Sequence, residues 1–205
     1  MNVALFDYGA GNLHSLKKAL ETGGASVTIT PSWDEALSLE ALVLPGVGSF
    51  GAAVASLGSE RERVRETLEG GLPTLGICLG MQLLFEESEE GEGRGIGLIP
   101  GPVRLLRSRL TPQMGWNDVA TTGDPLFAGV DGLVAYYANS YVCEPMNQDA
   151  TIATSEYQGD SFAAGVRWAR SWGVQFHPEK SSAPGLRIIR NFLQEVVQRS
   201  EGEEI

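Results

Sequence analysis

Three side chains in this sequence could form a covalent catalyst: the thiol of Cys78, the imidazole of His177 and the carboxylate of Glu179. A thiolate attacks a carbonyl carbon, a nearby imidazole carries the protons, and a carboxylate beside the imidazole fixes its tautomer. Each of these residue types is common, so the interpretation depends on how the chain positions them.

Cys78 lies between Gly76 and Gly80, where the apolar run 72–77 passes directly into a helical pattern. This spacing matches the G-x-nucleophile-x-G elbow, with sulfur in place of serine. A strand that turns at once into a helix leaves no room for a Cβ at the flanking positions. It also places the central side chain at the positive end of the helix, which favours the thiolate. A small buried cysteine in a glycine-rich turn fits this motif alone equally well.

His177 and Glu179 end the segment 171–179, which begins as an apolar strand pattern. An extended chain with a period of two would put both side chains on one face, with Pro178 fixing the backbone between them. The other histidine, His14, follows an inward-facing leucine of a predicted helix, and we expect it at the surface. Cys143 falls in a strand-like segment without flanking glycines, and we expect a structural role for it.

A glycine-rich loop follows the apolar run 41–44 and carries glycines on both sides of Val47. Ligand sites in parallel sheets lie at the carboxyl ends of the strands, so this loop should face the same crevice as Cys78. The backbone at Val47 and Gly48, together with the N–H of Leu79, would then form an oxyanion hole. The set predicts acyl transfer from an amide, ester or thioester through a thioester intermediate.

The first thirty residues indicate the fold class. A strand at 3–6, a helix with inward-facing leucines that Asn12 could cap, and a second strand at 26–30 form a β-α-β opening. We therefore predict an α/β protein with a doubly wound, mostly parallel central sheet. The runs 103–106 and 133–137 predict antiparallel or mixed strands added to that sheet. The segment 184–199 predicts a final amphipathic helix with one apolar stripe, formed by Ile189, Phe192, Leu193, Val196 and Val197.

Composition limits the possible functions. The 205 residues predict one domain over 1–200 and a disordered acidic tail at 201–205. A net charge of −11 argues against a nucleic-acid surface. Two cysteines and two histidines, without metal-ligand spacing, predict no metal site and a reducing cytoplasm. The chain has no apolar run of membrane length, and its first seven residues predict a core strand rather than a signal peptide.

The elbow motif at 76–82, with His177-Pro-Glu179, resembles the class I glutamine amidotransferases, whose fold is flavodoxin-like. Within that family, the Pro-Gly-Val-Gly loop at 45–48 departs from the more common Pro-Gly-Gly. This loop, with the segments 114–117, 140–141 and 177–182, is similar to the glutaminase subunits of imidazole glycerol phosphate synthase. The resemblance covers essentially the whole chain. One departure is Asn139, which stands where these subunits commonly have histidine.

The resemblance implies a mechanism and a partner. Cys78 would attack the side-chain amide of glutamine, and His177, held by Glu179, would protonate the departing ammonia. No cofactor is implied. Ammonia would pass to a (βα)₈-barrel cyclase in a heterodimer, to make imidazole glycerol phosphate and an aminoimidazole carboxamide ribotide in histidine biosynthesis. The positions that match those holding glutamine are Gln82, Glu90, Ser140 and Tyr141; docking is expected through Asn12, Trp116 and Tyr136.

Three other functions fit parts of the pattern. A stand-alone cysteine peptidase or γ-glutamyl hydrolase would use the same triad but would need an open cleft and no partner surface. A scaffold protein with a vestigial triad is disfavoured because all three catalytic residue types are present. The glutaminase of pyridoxal phosphate synthesis is disfavoured by Val47 in the oxyanion loop.

Overall fold

Thirteen strands and six α-helices form the part of the chain, residues 1–9 and 11–202, that the computed structural model describes. The helices are α1 (His14–Thr22), α2 (Trp33–Ser38), α3 (Phe50–Leu57), α4 (Arg61–Glu69), α5 (Leu79–Leu83) and α6 (Ser182–Gly202). The strands are β1 (Asn2–Phe6), β2 (Ser26–Thr30), β3 (Ala41–Leu44), β4 (Thr74–Ile77), β5 (Glu87–Ser88), β6 (Pro102–Leu105), β7 (Gln113–Asp118), β8 (Ala120–Thr121), β9 (Val134–Asn139), β10 (Tyr141–Cys143), β11 (Thr151–Tyr157), β12 (Asp160–Trp168) and β13 (Ser171–Val174).

An eight-stranded sheet in the order β2-β1-β3-β4-β13-β12-β11-β8 forms the centre of the molecule. The strands from β2 to β13 in this order pair in parallel, and β12, β11 and β8 continue the sheet in antiparallel pairing. This arrangement confirms the predicted fold class. Because β4 lies between β3 and β13, the three segments that carry the predicted catalytic and oxyanion groups leave the sheet side by side.

Helices cover both faces of this sheet, which explains why central parallel strands such as β1 and β3 are continuous apolar runs. Residues Val3 to Phe6 are fully buried, and their side chains alternate between two cores. One core contains Val3, Leu5 and apolar residues of α1 and α6. The other contains Ala4, Phe6 and residues of α2, α3, α4 and α5. Among the described residues, no helix is long and apolar enough to cross a membrane.

The runs 103–106 and 133–137 do form strands, but they do not join the central sheet, and this part of the prediction was wrong. β6 pairs with β10 and β5 in a three-stranded sheet, and β9 pairs with β7 in a two-stranded sheet. Arg104 of β6 forms a buried bidentate ion pair with Asp160 of β12, at 2.8 and 2.9 Å. This pair fastens the three-stranded sheet, which carries Tyr141, to the central one.

Two details of the predicted helices also differ. Leu13, not Asn12, is the N-cap of α1 and makes no capping side-chain bond; Asn12 Oδ1 instead accepts the His14 N–H at 2.9 Å. Val197 is 44% exposed, because it lies beyond the edge of the stripe that the other four residues of the prediction, Ile189, Phe192, Leu193 and Val196, bury. Of the predicted 201–205 tail, residues 201 and 202 are assigned to α6, and 203–205 lie outside the described residues.

Candidate active site

Cys78 forms the turn between β4 and α5, with φ 49° and ψ −105°. A Cβ on Gly76 would lie 2.5 Å from the Gly80 carbonyl oxygen, and a Cβ on Gly80 would overlap the carbonyl oxygen of Leu44. Both flanking glycines are therefore required by the close approach of the backbones. The left-handed φ of a residue with a side chain is a local strain, of the kind that concentrates at functional sites.

His177 and Glu179 meet next to this turn. His177 Nδ1 lies 2.9 Å from Glu179 Oε1, and both side chains are more than nine-tenths buried. The period-two argument predicted that the two side chains share one face of an extended strand, and this was wrong. β13 ends at Val174, and Pro178–Lys180 is a single 3₁₀ turn whose N-cap is His177. A proline at the first position of a short helix fixes its entry, and the turn brings the carboxylate back onto the imidazole.

The surroundings of His177 favour its protonated form. Burial alone would lower the pKa of His177, but hydrogen bonds to Cys78 and Glu179, with the negative charge of both partners, raise it to about 9. The imidazolium therefore persists at neutral pH beside the sulfur, as a proton donor for a leaving group.

The glycine-rich loop after β3 lies against both of these residues. A Cβ on Gly46 would be 2.9 Å from Cys78 Cβ and 2.8 Å from His177 Cε1, so the backbone fits here only without a side chain. Gly48 has φ 112° and lines the cavity beside Cys78. The side chain of Val47 does not line this cavity and packs against Gly11. A Cβ on Gly11 would lie only 2.5 Å from Val47 Cβ, so the contact requires a glycine there.

A cavity of about 140 Å³ opens at Cys78. Of the predicted oxyanion and glutamine-binding residues, Val47 alone is absent from its lining, which consists of Gly46, Gly48, Cys78, Leu79, Gln82, Glu90, Ala138, Asn139, Ser140 and Tyr141. Glu90 accepts the Phe50 N–H through Oε2 at 3.2 Å. A larger cavity of about 390 Å³ lies between Met1, Gly23 and α6, but the described residues that line it include no nucleophile.

Sequence reasoning missed Gln175, which is fully buried beside Cys78. Its Nε2 donates to Cys78 Sγ at 3.5 Å, and its Oε1 accepts from Gln82 Nε2 at 3.3 Å. The available signal was a single amide within an apolar run, two residues before His177.

A second missed amide is Gln113, which is 1% exposed and pairs with Asn139 across β7 and β9. Within residues 1–9 and 11–202, neither polar atom of the Gln113 side chain has a hydrogen-bond partner, and Asn139 Oδ1 also has none. Asn139 Nδ2 donates to the Tyr141 carbonyl at 3.0 Å. Asn139, which lines the cavity, thus has a buried acceptor without a partner among the described residues.

The remaining candidates do not line this cavity. His14 is exposed on α1. Cys143 is 1% exposed on β10, and burial raises the pKa of its thiol well above the usual value. Asn12 is exposed, as are Trp116 and Met114 on the outer face of β7. Within the described part of the chain, no three or more His, Cys, Asp or Glu side chains form a group that could hold a metal ion.

Comparison with known proteins decides the family. The sequence model of the family "Glutamine amidotransferase class-I" matches residues 4–196. The chain belongs to this family. Among its curated relatives are the imidazole glycerol phosphate synthase subunits HisH of Microcystis aeruginosa and Methanosarcina mazei. Both are 44% identical to the chain; the first alignment covers 95% of each protein, and the second covers 94% of this chain and 98% of the relative.

Solved structures with the same fold are more distant in sequence. A Thermoplasma acidophilum protein described as a GMP synthase subunit superposes with a TM-score of 0.77 at 20% identity, over 100% of this chain and 98% of the other. The structure of PurLQS from Thermotoga maritima gives a TM-score of 0.76 at 20% identity, over 97% and 98%. At this identity the likeness establishes the amidotransferase fold, and the curated relatives carry the closer functional comparison.

Proposed function

We propose that this class-I glutamine amidotransferase is the glutaminase subunit of an imidazole glycerol phosphate synthase. The observation that carries the proposal is that Cys78, which lines a 140 Å³ cavity together with the glycine loop, lies beside the buried His177–Glu179 pair. The chain is 40–44% identical, over nearly its full length, to proteins named as this subunit. This similarity favours imidazole glycerol phosphate synthase over the other synthases that use class-I glutaminases.

The reaction begins with attack of the Cys78 thiolate on the side-chain carbonyl carbon of glutamine. The C–S bond forms, and the oxyanion is held by backbone N–H groups of the loop at Val47 and Gly48 and by that of Leu79. The imidazolium of His177 then protonates the departing nitrogen, the C–N bond breaks, and ammonia leaves a thioester. Neutral His177 next removes a proton from water, which attacks the thioester and releases glutamate and the thiolate.

The remaining cavity residues are suited to hold the two ends of glutamine. Glu90 is the acidic side chain that lines the cavity, and it would pair with the α-ammonium group. Ser140 and Tyr141 would hold the α-carboxylate. Gln82 lies one turn beyond Cys78, and its Nε2 donates to the Tyr141 carbonyl at 3.1 Å. It would therefore lie next to the side-chain carboxamide of the bound glutamine.

The ammonia released at Cys78 requires an acceptor protein, which we propose to be a (βα)₈-barrel cyclase in a heterodimer. The outer face of the β7–β9 sheet suits such a partner, because Met114 is 63% and Trp116 is 55% exposed beside Tyr136. We call Met114, Trp116 and Tyr136 the docking surface. Trp116 and Tyr136 pack edge-to-face at 6.0 Å, and Lys180 lies 5.8 Å above the Tyr136 ring. Trp and Tyr side chains are among the commonest anchors of protein–protein interfaces.

Glutamate release tests this proposal. It is measured with the purified chain alone, with a candidate barrel cyclase, and with the cyclase and its ribotide substrate. We expect low activity alone and activation by the complete mixture of about 10²–10³-fold, the cost of one missing oxyanion donor. The complete mixture should also form imidazole glycerol phosphate, with one glutamate released per product. Full activity of the isolated chain, unchanged by the cyclase, would favour a stand-alone hydrolase.

A matched pair of variants tests the docking surface. Trp116→Ala should weaken cyclase binding and lower the activation. Met146→Ala removes a side chain that is 76% exposed but lies outside the docking surface, and it should leave both unchanged. Equal effects of the two substitutions would place the partner elsewhere.

A further inference from the structure

The side chain of Gln175 lies at a buried position where a polar group needs hydrogen-bond partners within the protein. It is 0% exposed and lies in the backbone segment between the end of β13 and His177. An amide without hydrogen bonds at such a position costs stability. Both ends of the Gln175 amide have partners: Cys78 Sγ accepts from Nε2 at 3.5 Å, and Gln82 Nε2 donates to Oε1 at 3.3 Å.

The second contact fixes the orientation of the first. Gln82 Nε2 also donates to the Tyr141 carbonyl at 3.1 Å, so a backbone group anchors the donor end of Gln82. A donor facing Gln175 requires an acceptor there, and the carbonyl end of the Gln175 amide must point to Gln82. The N–H end is then directed at the sulfur. Tyr141, Gln82, Gln175 and Cys78 thus form one directed chain of hydrogen bonds.

We propose that Gln175 is a positioning residue for the nucleophile, donating a hydrogen bond that holds the Cys78 sulfur and stabilises its thiolate. The inference rests on the proposed glutaminase function, in which Cys78 attacks glutamine. A hydrogen bond to a charged acceptor is stronger than one between neutral groups, and it favours the charged form. Gln175 therefore acts on the same thiolate as His177, from a neutral side chain.

The other ionisable groups around Cys78 give this donor a distinct role. His177, backed by Glu179, supplies positive charge only while it is protonated. Glu90 lines the cavity as a carboxylate, Tyr141 lines it from β10, and Cys143 of β10 is a buried thiol that interacts with the charge on Cys78. Gln175 does not titrate. It can therefore donate to the sulfur again when water attacks the thioester, the C–S bond breaks and the thiolate re-forms.

The test measures the reactivity of Cys78 against pH. Iodoacetamide alkylation is followed in the assembled complex with the cyclase, in a Cys143→Ser background so that one thiol is read. Gln175→Met keeps the length of the side chain but removes the N–H donor. We expect the alkylation midpoint to rise by about one pH unit, the size of one hydrogen bond to a charged group. The kcat for glutamine hydrolysis should fall about tenfold or more, with KM changed less than about threefold.

Gln113→Met is the matched control, because Gln113 is an equally buried glutamine whose side chain has no hydrogen-bond partner in the described part of the chain. Its alkylation midpoint should equal that of the unsubstituted background. Gln175→Glu is the second variant. The carboxylate that it introduces could still accept from Gln82 but could not donate to the sulfur, so its midpoint should rise further than that of Gln175→Met.

The outcomes separate this inference from the proposed function. Unchanged midpoints in Gln175→Met, or in Gln175→Glu if the first variant does not fold, would overturn the role of Gln175. A lower melting temperature with an unmoved midpoint would also overturn it, leaving a packing role. Alkylation of Cys78 that left glutamate release intact would instead refute the assignment of the nucleophile.

Discussion

The backbone N–H of His177 donates to the carbonyl oxygen of Tyr136 at 2.8 Å. Ser181 closes the contact on the other side: its Oγ accepts the Tyr136 N–H at 2.9 Å and donates to the His177 carbonyl at 2.7 Å. We call these three hydrogen bonds the clasp. The proposed catalytic base, His177, is thereby joined to β9, whose Tyr136 belongs to the docking surface. A partner that shifts Tyr136 would move His177 through backbone contacts, without an intermediate element.

The clasp predicts that Ser181 transmits partner binding. Ser181→Ala removes a buried hydroxyl that satisfies two backbone groups, so we expect a loss of about 1–3 kcal/mol in the free energy of unfolding. Activation of glutamate release by the cyclase should decrease, while cyclase affinity stays unchanged. Denaturant unfolding, a binding titration and the activity assay measure the three quantities.

Ser171→Ala provides the control for this substitution. Ser171 is equally buried, but its Oγ has no hydrogen-bond partner among the residues that the structure describes. Its removal should change neither stability by more than a few tenths of a kcal/mol nor the activation. If both variants lost activation equally, the clasp would not be the connection between the partner and the base.

The two cysteines should behave differently. Cys78→Ser should lower glutaminase activity by orders of magnitude, because a serine hydroxyl in this site is a far weaker nucleophile than the thiolate. Cys143→Ser should keep most of the activity. An electrophilic glutamine analogue should label Cys78 alone, as detected by peptide mass analysis. Labelling of Cys143 in the intact enzyme, with Cys78 left free, would reverse the assignment.

The pH profile should report the proton held by His177. The pKa of His177 is raised to about 9, so the imidazolium that protonates ammonia is present below this pH and is lost above it. Glutaminase activity should therefore fall as the pH rises through about 9. Measuring kcat/KM against pH in the activated complex tests the position of this limb.

Substitutions of the pair extend this prediction. Glu179→Gln removes a negative charge that helps to hold the proton, so the alkaline limb should move to lower pH, with a smaller loss of rate than in His177→Asn. His177→Asn should abolish turnover. His14→Asn changes the exposed histidine of α1 and should have no effect. If the His14→Asn and His177→Asn variants both folded and lost activity equally, the assignment of His177 as the base would be wrong.

Asn139 should contribute to glutamine binding through its free acceptor. In the described part of the chain its Oδ1 has no partner, while Nδ2 is held by the Tyr141 carbonyl. Asn139→Leu should raise KM for glutamine about tenfold, the value of one hydrogen bond, with a smaller effect on kcat. Asn117→Leu, which changes an amide bonded to the Glu156 carbonyl, should leave KM unchanged. An unaltered KM in Asn139→Leu would show that the amide does not contact the substrate.

Sequence reasoning succeeded where the determining interactions are local in the chain. The elbow follows from glycines two residues on either side of Cys78, and the parallel strands follow from short apolar runs between helical patterns. It failed where strands choose distant partners. β6 and β9 have ordinary strand patterns, and nothing within either segment shows that it pairs outside the central sheet.

The same limit applies to the site. Gln175 is recognisable as an amide in an apolar run, but its two partners are 97 and 93 residues away in the sequence. The His177–Glu179 contact was expected for the wrong geometric reason, since a 3₁₀ turn and an extended strand can both bring residues i and i+2 together. The position of the Val47 side chain depends on the absence of a side chain at Gly11, which lies on a different loop.

The crowding at Gly46, Gly76 and Gly80 also determines which substitutions the chain can tolerate. Any side chain at these positions meets backbone or catalytic atoms, whereas Cys78 has its own space and only a strained φ. A saturation library selected for folded protein alone should lose every variant at the three glycines and keep several small residues at position 78. The residues that these two loops cannot replace would then be glycines that perform no chemistry, and the proposed nucleophile would be more replaceable than any of them.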